Sequence, residues 1–154
     1  FEQELTIDQV ESITVKSTIV FTENGNIDPD KKSNTLYTIN HSRSNNKSTY
    51  TFEGDPSKIV NGNTMQSLVI AFYTLKADDV IVHPEEVELN TEAPLASISL
   101  QLKRGITMTL NVIGKSMEDD VTLYIQNPSQ QYIYSAKAWN LNKILLPLES
   151  IIIE

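Results

Sequence analysis

The sequence predicts an α+β fold, with antiparallel sheets carrying packed helices, and three observations predict it. Short apolar/polar alternations recur along much of the chain, as in "SITVKS" and "ASISLQLKRGITMTLNVIGK", and a period of two is the mark of a half-buried strand. Between them, Met65, Leu68, Val69, Phe72 and Leu75 repeat at helical spacing on one face. A second helical stripe, Ala138, Leu141, Leu145 and Leu148, closes the chain. The order strands, helix, strands, helix suggests two similar β-rich/α units. Residues 1–60 would form a strand-rich N-terminal part. Residues 61–154 would hold the helix, two β-hairpins and the C-terminal helix, as one compact unit or two small modules.

Taken in order, residues 5–22 are rich in Ile, Val and Thr and read as strand. "ENGNIDPDKKSN", with Gly25 and Pro29, reads as a loop. "TLYTINH" and "STYTFEG" read as two strands around the polar turn "SRSNNK". Asp55-Pro56 ends the second. The helix is expected from about Asn63 to Lys76, capped by Asn61 or Asn63. A short strand, "DVIV", follows. "KRG" then turns a hairpin that places Ile98, Leu100 and Leu102 with Ile106, Met108, Leu110 and Val112. "VTLYIQ" and "QQYIYSA" make a further hairpin around "NPSQ". Ser135 is placed to cap the closing helix, which Pro147 should end.

Composition narrows the function. The 154 residues carry a formal charge of −8, with 40% apolar residues and no cysteine. A folded core is affordable at that length. Nucleic acid and anionic membrane surfaces are poor partners for so acidic a chain. Disulfides, thiolate metal sites and cysteine nucleophiles are excluded. No apolar run reaches the roughly 18 residues of a membrane-spanning helix. Because the chain starts at Phe1, it is expected to be processed or cut from something longer, with any signal peptide or anchor outside it.

"LKADDVIVHPEEVELNTEAP", residues 75–94, crowds six carboxylates around one of the two histidines. Asp79, His83 and Glu86 are the candidate metal ligands here. A hard cation wants several converging oxygens, and a transition metal at least three ligands in defined geometry. The plainer expectation is a helix exit followed by an exposed acidic link. His41 with Ser42, Ser44 and Ser48 could suggest nucleophilic catalysis, but Ser and Asn in a polar turn are selected by the backbone. Gly114-Lys115-Ser116 lacks the upstream glycine of a phosphate loop, and Gly114 is expected to supply a positive φ in a turn shared with Glu118, Asp119 and Asp120. Tyr124, Tyr132, Tyr134 and Trp139 are candidate ligand or partner contacts. Tyr132 and Tyr134 would share one strand face, with Tyr124 across from one of them. Cross-strand packing is the plainer reading of the same residues.

The second half resembles a family. Leu75, Ala77 and Val80 after a helix, Pro94 before a strand, Ile113-Gly114 ending a hairpin, and Tyr124 with Tyr134 before a closing helix carry the likeness. Over about residues 60–150 they are similar to a domain of unknown function in bacterial envelope proteins, associated with gliding-motility-type ABC transporter auxiliary proteins. A "YGL" phrase usual before the proline is replaced here by "VELNTEAP". The resemblance implies an extracytoplasmic domain in the periplasm or at the cell surface, usually tethered to a membrane. It implies no catalytic residues and no cofactor. The expected function is therefore non-catalytic: protein contact with an envelope or transporter protein. The rivals are a small-ligand domain, with a pocket between sheet and helix near Phe72 and the tyrosine hairpin, and an enzyme using the acidic segment.

Overall fold

The computed structural model describes residues 5–81 and 84–153, apart from the side chain of Glu86. In chain order the strands are β1 (Val10–Phe21), β2 (Ile27–Ser44), β3 (Lys47–Phe52), β4 (Ile59–Val60), β5 (Asp79–Val80), β6 (Ala96–Leu102), β7 (Thr107–Lys115), β8 (Thr122–Gln126), β9 (Tyr134–Lys137) and β10 (Ile152–Ile153). Helix α1 spans Gly62–Thr74, and α2 is a single turn, Ala138–Leu141. Eight strands form one antiparallel sheet in the order β3-β2-β1-β6-β7-β8-β9-β5, and β4 pairs with β10.

The fold is thus β-rich, and the α+β expectation of sheets with packed helices is corrected. Two similar β-rich/α units do not form either. β1 pairs with β6 along Val10–Ser17, so strands from both halves of the chain belong to one sheet. Among the described residues the first 60 contribute only a 3-10 turn at Ile7–Gln9 as helix.

The expected closing helix also fails, for local reasons. Ile144, Leu145 and Leu146 are consecutive aliphatics, and Pro147 cannot continue a helix. Leu141, Ile144, Leu145 and Ile151 are instead buried by an irregular chain. The Ile151 carbonyl accepts the Asn61 N–H at 2.7 Å, which seats this segment at the start of α1. Ser135 lies in β9 opposite Tyr124 and caps nothing.

The β2 strand begins earlier than the composition suggests. Residues 27–34 read as loop, yet they pair with β1 through Ile19↔Lys32 and Phe21↔Ile27, across two bulges. Polar residues form strand here because the backbone ladder, rather than a buried face, holds them. The loop shrinks to residues 22–26, where Gly25 has φ +82° and packs against Trp139.

The α1 helix follows its pattern closely. The Asn61 side chain accepts the Thr64 N–H, and Met65, Leu68 and Val69 are buried. It lies on the sheet face formed by Ile13 and Val15 of β1, Tyr37 and Ile39 of β2, Ile98, Leu100 and Leu102 of β6, and Leu123 and Ile125 of β8. Each fully buried aliphatic side chain contributes roughly 1.5–3 kcal/mol. On the opposite face, Thr38, Thr14, Ser99 and Thr109 stand in one row across β2, β1, β6 and β7. Thr14 and Thr38 hydroxyls lie 2.9 Å apart, as do those of Ser99 and Thr109.

Candidate functional site

The acidic segment is built into the sheet. Asp78 donates its N–H to the Ser135 carbonyl, and Ile81 donates to Ile133. This makes β5 the outermost strand beside β9, with Asp79 exposed opposite Ser135. The Asp78 carboxylate sits 3.7 Å from the Lys137 ammonium. After a 3-10 turn at Pro84–Glu86, the chain crosses the polar face as a strap. Asn90 N–H donates to Ile113 O and Leu95 N–H to Val112 O, at 2.7 and 2.8 Å.

Gly114 explains the crossing. It lies within β7 and has no positive φ, so the expected turn role is corrected. A Cβ there would stand 2.6 Å from the Glu88 carbonyl oxygen and 3.3 Å from the Tyr124 ring. Glycine is required because the strap backbone presses on the strand. Among the described residues, no group of three or more His, Asp or Glu side chains could hold a metal ion. Of the candidate ligands, Asp79 is exposed, while His83 and the Glu86 side chain lie outside the described residues.

The four aromatic candidates do not share a surface. Tyr124 pairs with Ser135 and lies on the strap side of the sheet, whereas Tyr134 pairs with Ile125 and packs against the core. Tyr132 precedes β9 and is 54% exposed. Trp139 is 42% exposed on α2, with the Lys137 ammonium 6.0 Å from its ring. Tyr124 does not face Tyr134, because the β8–β9 register sets it opposite Ser135, and Tyr132 precedes β9.

His41 is a buried strand residue. Its Nδ1–H donates to the Val10 carbonyl at 2.8 Å, which leaves Nε2 to accept the Ser48 hydroxyl at 3.0 Å. Tyr50 packs 5.0 Å away, ring to ring. Ser42 and Ser44 are exposed. Nucleophilic catalysis would need a substrate cleft and oxyanion donors around Ser48, and none of the hollows described below includes His41 or Ser48.

Charge is spent on turns. Asp119 is held below the usual carboxylate range, chiefly by the Val121 N–H and then by Thr122. Asp120 pairs with Lys115 at 3.3 Å, and its carbonyl receives the Ile27 N–H. Burial raises the Tyr37 hydroxyl above its ordinary range, and that hydroxyl donates to the Leu146 carbonyl.

Several hollows and one edge offer places for a ligand or partner, among them one of about 430 Å³ around Val80, Pro84 and Tyr132 and one of about 400 Å³ lined by Phe21, Leu145 and Pro147. A cleft of about 210 Å³ lies between the end of α1 and strands β7 and β8, walled by Phe72, Leu75, Met108, Leu110, Ile125 and Tyr134. A larger open groove of about 900 Å³ lies beside the strap. The edge is that of β2. β3 covers it only from Ile39 to Ser44. Among the described residues no strand lies on its outer side between Ile27 and Thr38.

Glu53 N–H donates to Thr38 O, so Thr38 points its backbone outward. By the two-residue alternation, so does Leu36, whose side chain is 65% exposed. The loop reading of residues 23–34 hid this edge. Its signal was the alternation of Tyr37, Ile39 and His41, which continues backward through Thr35 and Ser33.

No family model matches the chain, and comparison with curated proteins and with solved structures found no match either.

Proposed function

We propose that this chain is a non-catalytic protein-interaction domain that captures an extended segment of a partner on the open edge of β2. The observation that carries this is the outer edge of β2 between Asp28 and Tyr37, which no strand covers among the described residues, while its inner edge is laddered to β1. An exposed edge offers N–H and C=O groups in register for an added strand. Leu36 stands there as an exposed apolar side chain. Pro29, Lys31 and Lys32 guard the first part of the edge, as edge strands are guarded against indiscriminate pairing. The stretch from Ser33 to Leu36 carries no such guard. The likeness to envelope domains supports a place outside the cytoplasm, with an ABC-type transporter or envelope-assembly protein as the partner.

A photo-reactive residue at Asn34 tests this in the source cells. The expected result is one dominant cross-linked partner, lost when Leu36→Pro removes the outward N–H without touching the β1 ladder. A cross-linking pattern unchanged by Leu36→Pro, or no partner at all, sinks the proposal.

A second reading, small-ligand binding, is favoured by the 210 Å³ cleft beside Phe72 and Tyr134. That volume falls below the roughly 300–1,000 Å³ of typical ligand sites, so only a small group fits. A screen of small apolar fragments, read by NMR shifts at Leu110 and Tyr134, decides it; silence at both residues removes this reading.

A further inference from the structure

The groove beside the strap is basic, in a chain that is acidic. Lys16, Lys31, Lys32 and Lys115 line it, against Asp28 and Glu92. The whole chain has only 12 Lys and Arg residues against 20 Asp and Glu. A random share of the surface would make such a groove negative.

The lysines arrive from three different strands. β6 begins only at Ala96, which leaves the end of the β1–β2 hairpin on one side and the end of β7 on the other. Lys31 lies 4.0 Å from Asp28, and Lys115 lies 3.3 Å from Asp120. Lys16 and Lys32 have no ionic partner among the described residues. Edge protection accounts for Lys31 and Lys32 on β2. It does not account for Lys16 on the interior strand β1, or for Lys115 on β7.

We infer that this groove binds an acidic, extended peptide segment, through carboxylates spaced along it. The floor suits a peptide. Ser97 lies between Lys16 and Asn111 in one row across β1, β6 and β7. An asparagine amide both donates and accepts, as a peptide backbone requires.

Other anions fit less well. Among the described residues no aromatic side chain lines the groove, so sugar rings and bases find no stacking surface there. Neither arginine, Arg43 or Arg104, lines it, so the bidentate fork that favours phosphate is missing. Lysine ammoniums are point charges suited to single carboxylates at variable spacing. The groove shares Lys31 and Lys32 with the guarded first part of the β2 edge, but residues 33–36, where an added strand would pair, do not line it.

The test is fluorescence anisotropy with a labelled decapeptide of alternating Glu and Val, added to the purified chain. Binding is expected to weaken as salt rises through the order of 0.1 M. Lys16→Ala with Lys32→Ala should weaken it about tenfold, the scale that two exposed charge contacts provide. Lys47→Ala with Lys103→Ala makes the same charge change outside the groove and should alter binding less than about twofold. Equal loss in both double variants overturns the proposal, because general charge would then explain it. So does an absence of peptide binding, or tighter binding of polygalacturonate than of the peptide at equal charge.

Discussion

The two faces of the sheet are made from the same strands and held in opposite ways. On the α1 face, Ile13, Ile98, Leu100 and Leu123 are buried against a helix and an irregular C-terminal chain. On the other, Thr14, Thr38, Ser99 and Thr109 form hydroxyl pairs across strands, and a strap of backbone covers one corner at Gly114. The first face derives its strength from area removed from water. The second relies on shape at one glycine and on hydrogen bonds that exchange readily with solvent. Stability therefore belongs chiefly to one face, while the other carries the open β2 edge and the basic groove beside it.

The largest expected effect breaks this comparison most directly. Leu100 and Ser99 are neighbours on β6, one on each face. Leu100→Ala should cost about 3 kcal/mol in a denaturant melt, within the range for fully buried leucines. Ser99→Ala should cost less than about 1 kcal/mol, since its partner Thr109 can turn to water. Equal losses would mean that the hydroxyl face is as structural as the core. Gly114→Ala comes next. The new methyl must displace the Glu88 carbonyl, and overpacking of this kind costs about 2 kcal/mol. Hydrogen exchange at the Asn90 amide should accelerate in the variant, because that N–H is bonded to Ile113 across the strap contact. Unchanged exchange would show that the strap is not seated by this glycine.

Much of the first face was legible in the sequence, because burial imposes a period. Leu100, Leu102, Met65 and Leu68 follow from alternation and from helical spacing alone. The β6–β7 hairpin follows as well, with Gly105 at φ +86° in its turn. The early part of β2 was not legible, since Asp28, Pro29, Asp30 and Lys31 carry no buried face to mark a strand. The closing segment misled in the other direction. Leu141 and Leu145 keep helical spacing, but a core plug made of turns uses the same spacing. Of the candidate sites, the acidic segment was visible as composition, whereas its crossing over Gly114 is a long-range contact with no local signal. The basic groove was invisible for the same reason: Lys16, Lys32 and Lys115 are distant in sequence and meet only through the sheet.

The smallest expected effect sharpens the comparison from inside the apolar face. Two tyrosines of the β2–β3 pair place their hydroxyls on that side with different outcomes. Tyr37 donates to the Leu146 carbonyl at 2.8 Å, whereas the Tyr50 hydroxyl is buried with no hydrogen-bond partner among the described residues. Removing a satisfied hydroxyl leaves a carbonyl orphaned, so Tyr37→Phe should lower stability by about 1 kcal/mol. Removing an unsatisfied one lifts a desolvation cost, so Tyr50→Phe should leave stability unchanged or raise it by up to about 1 kcal/mol. Paired thermal melts of the two variants read the difference directly. A clear loss in Tyr50→Phe would mean that its hydroxyl has a partner in solution, such as a bound water beside His41. The apolar face would then hold a polar network at its β3 margin, and the contrast between the two faces would end one strand short of the edge.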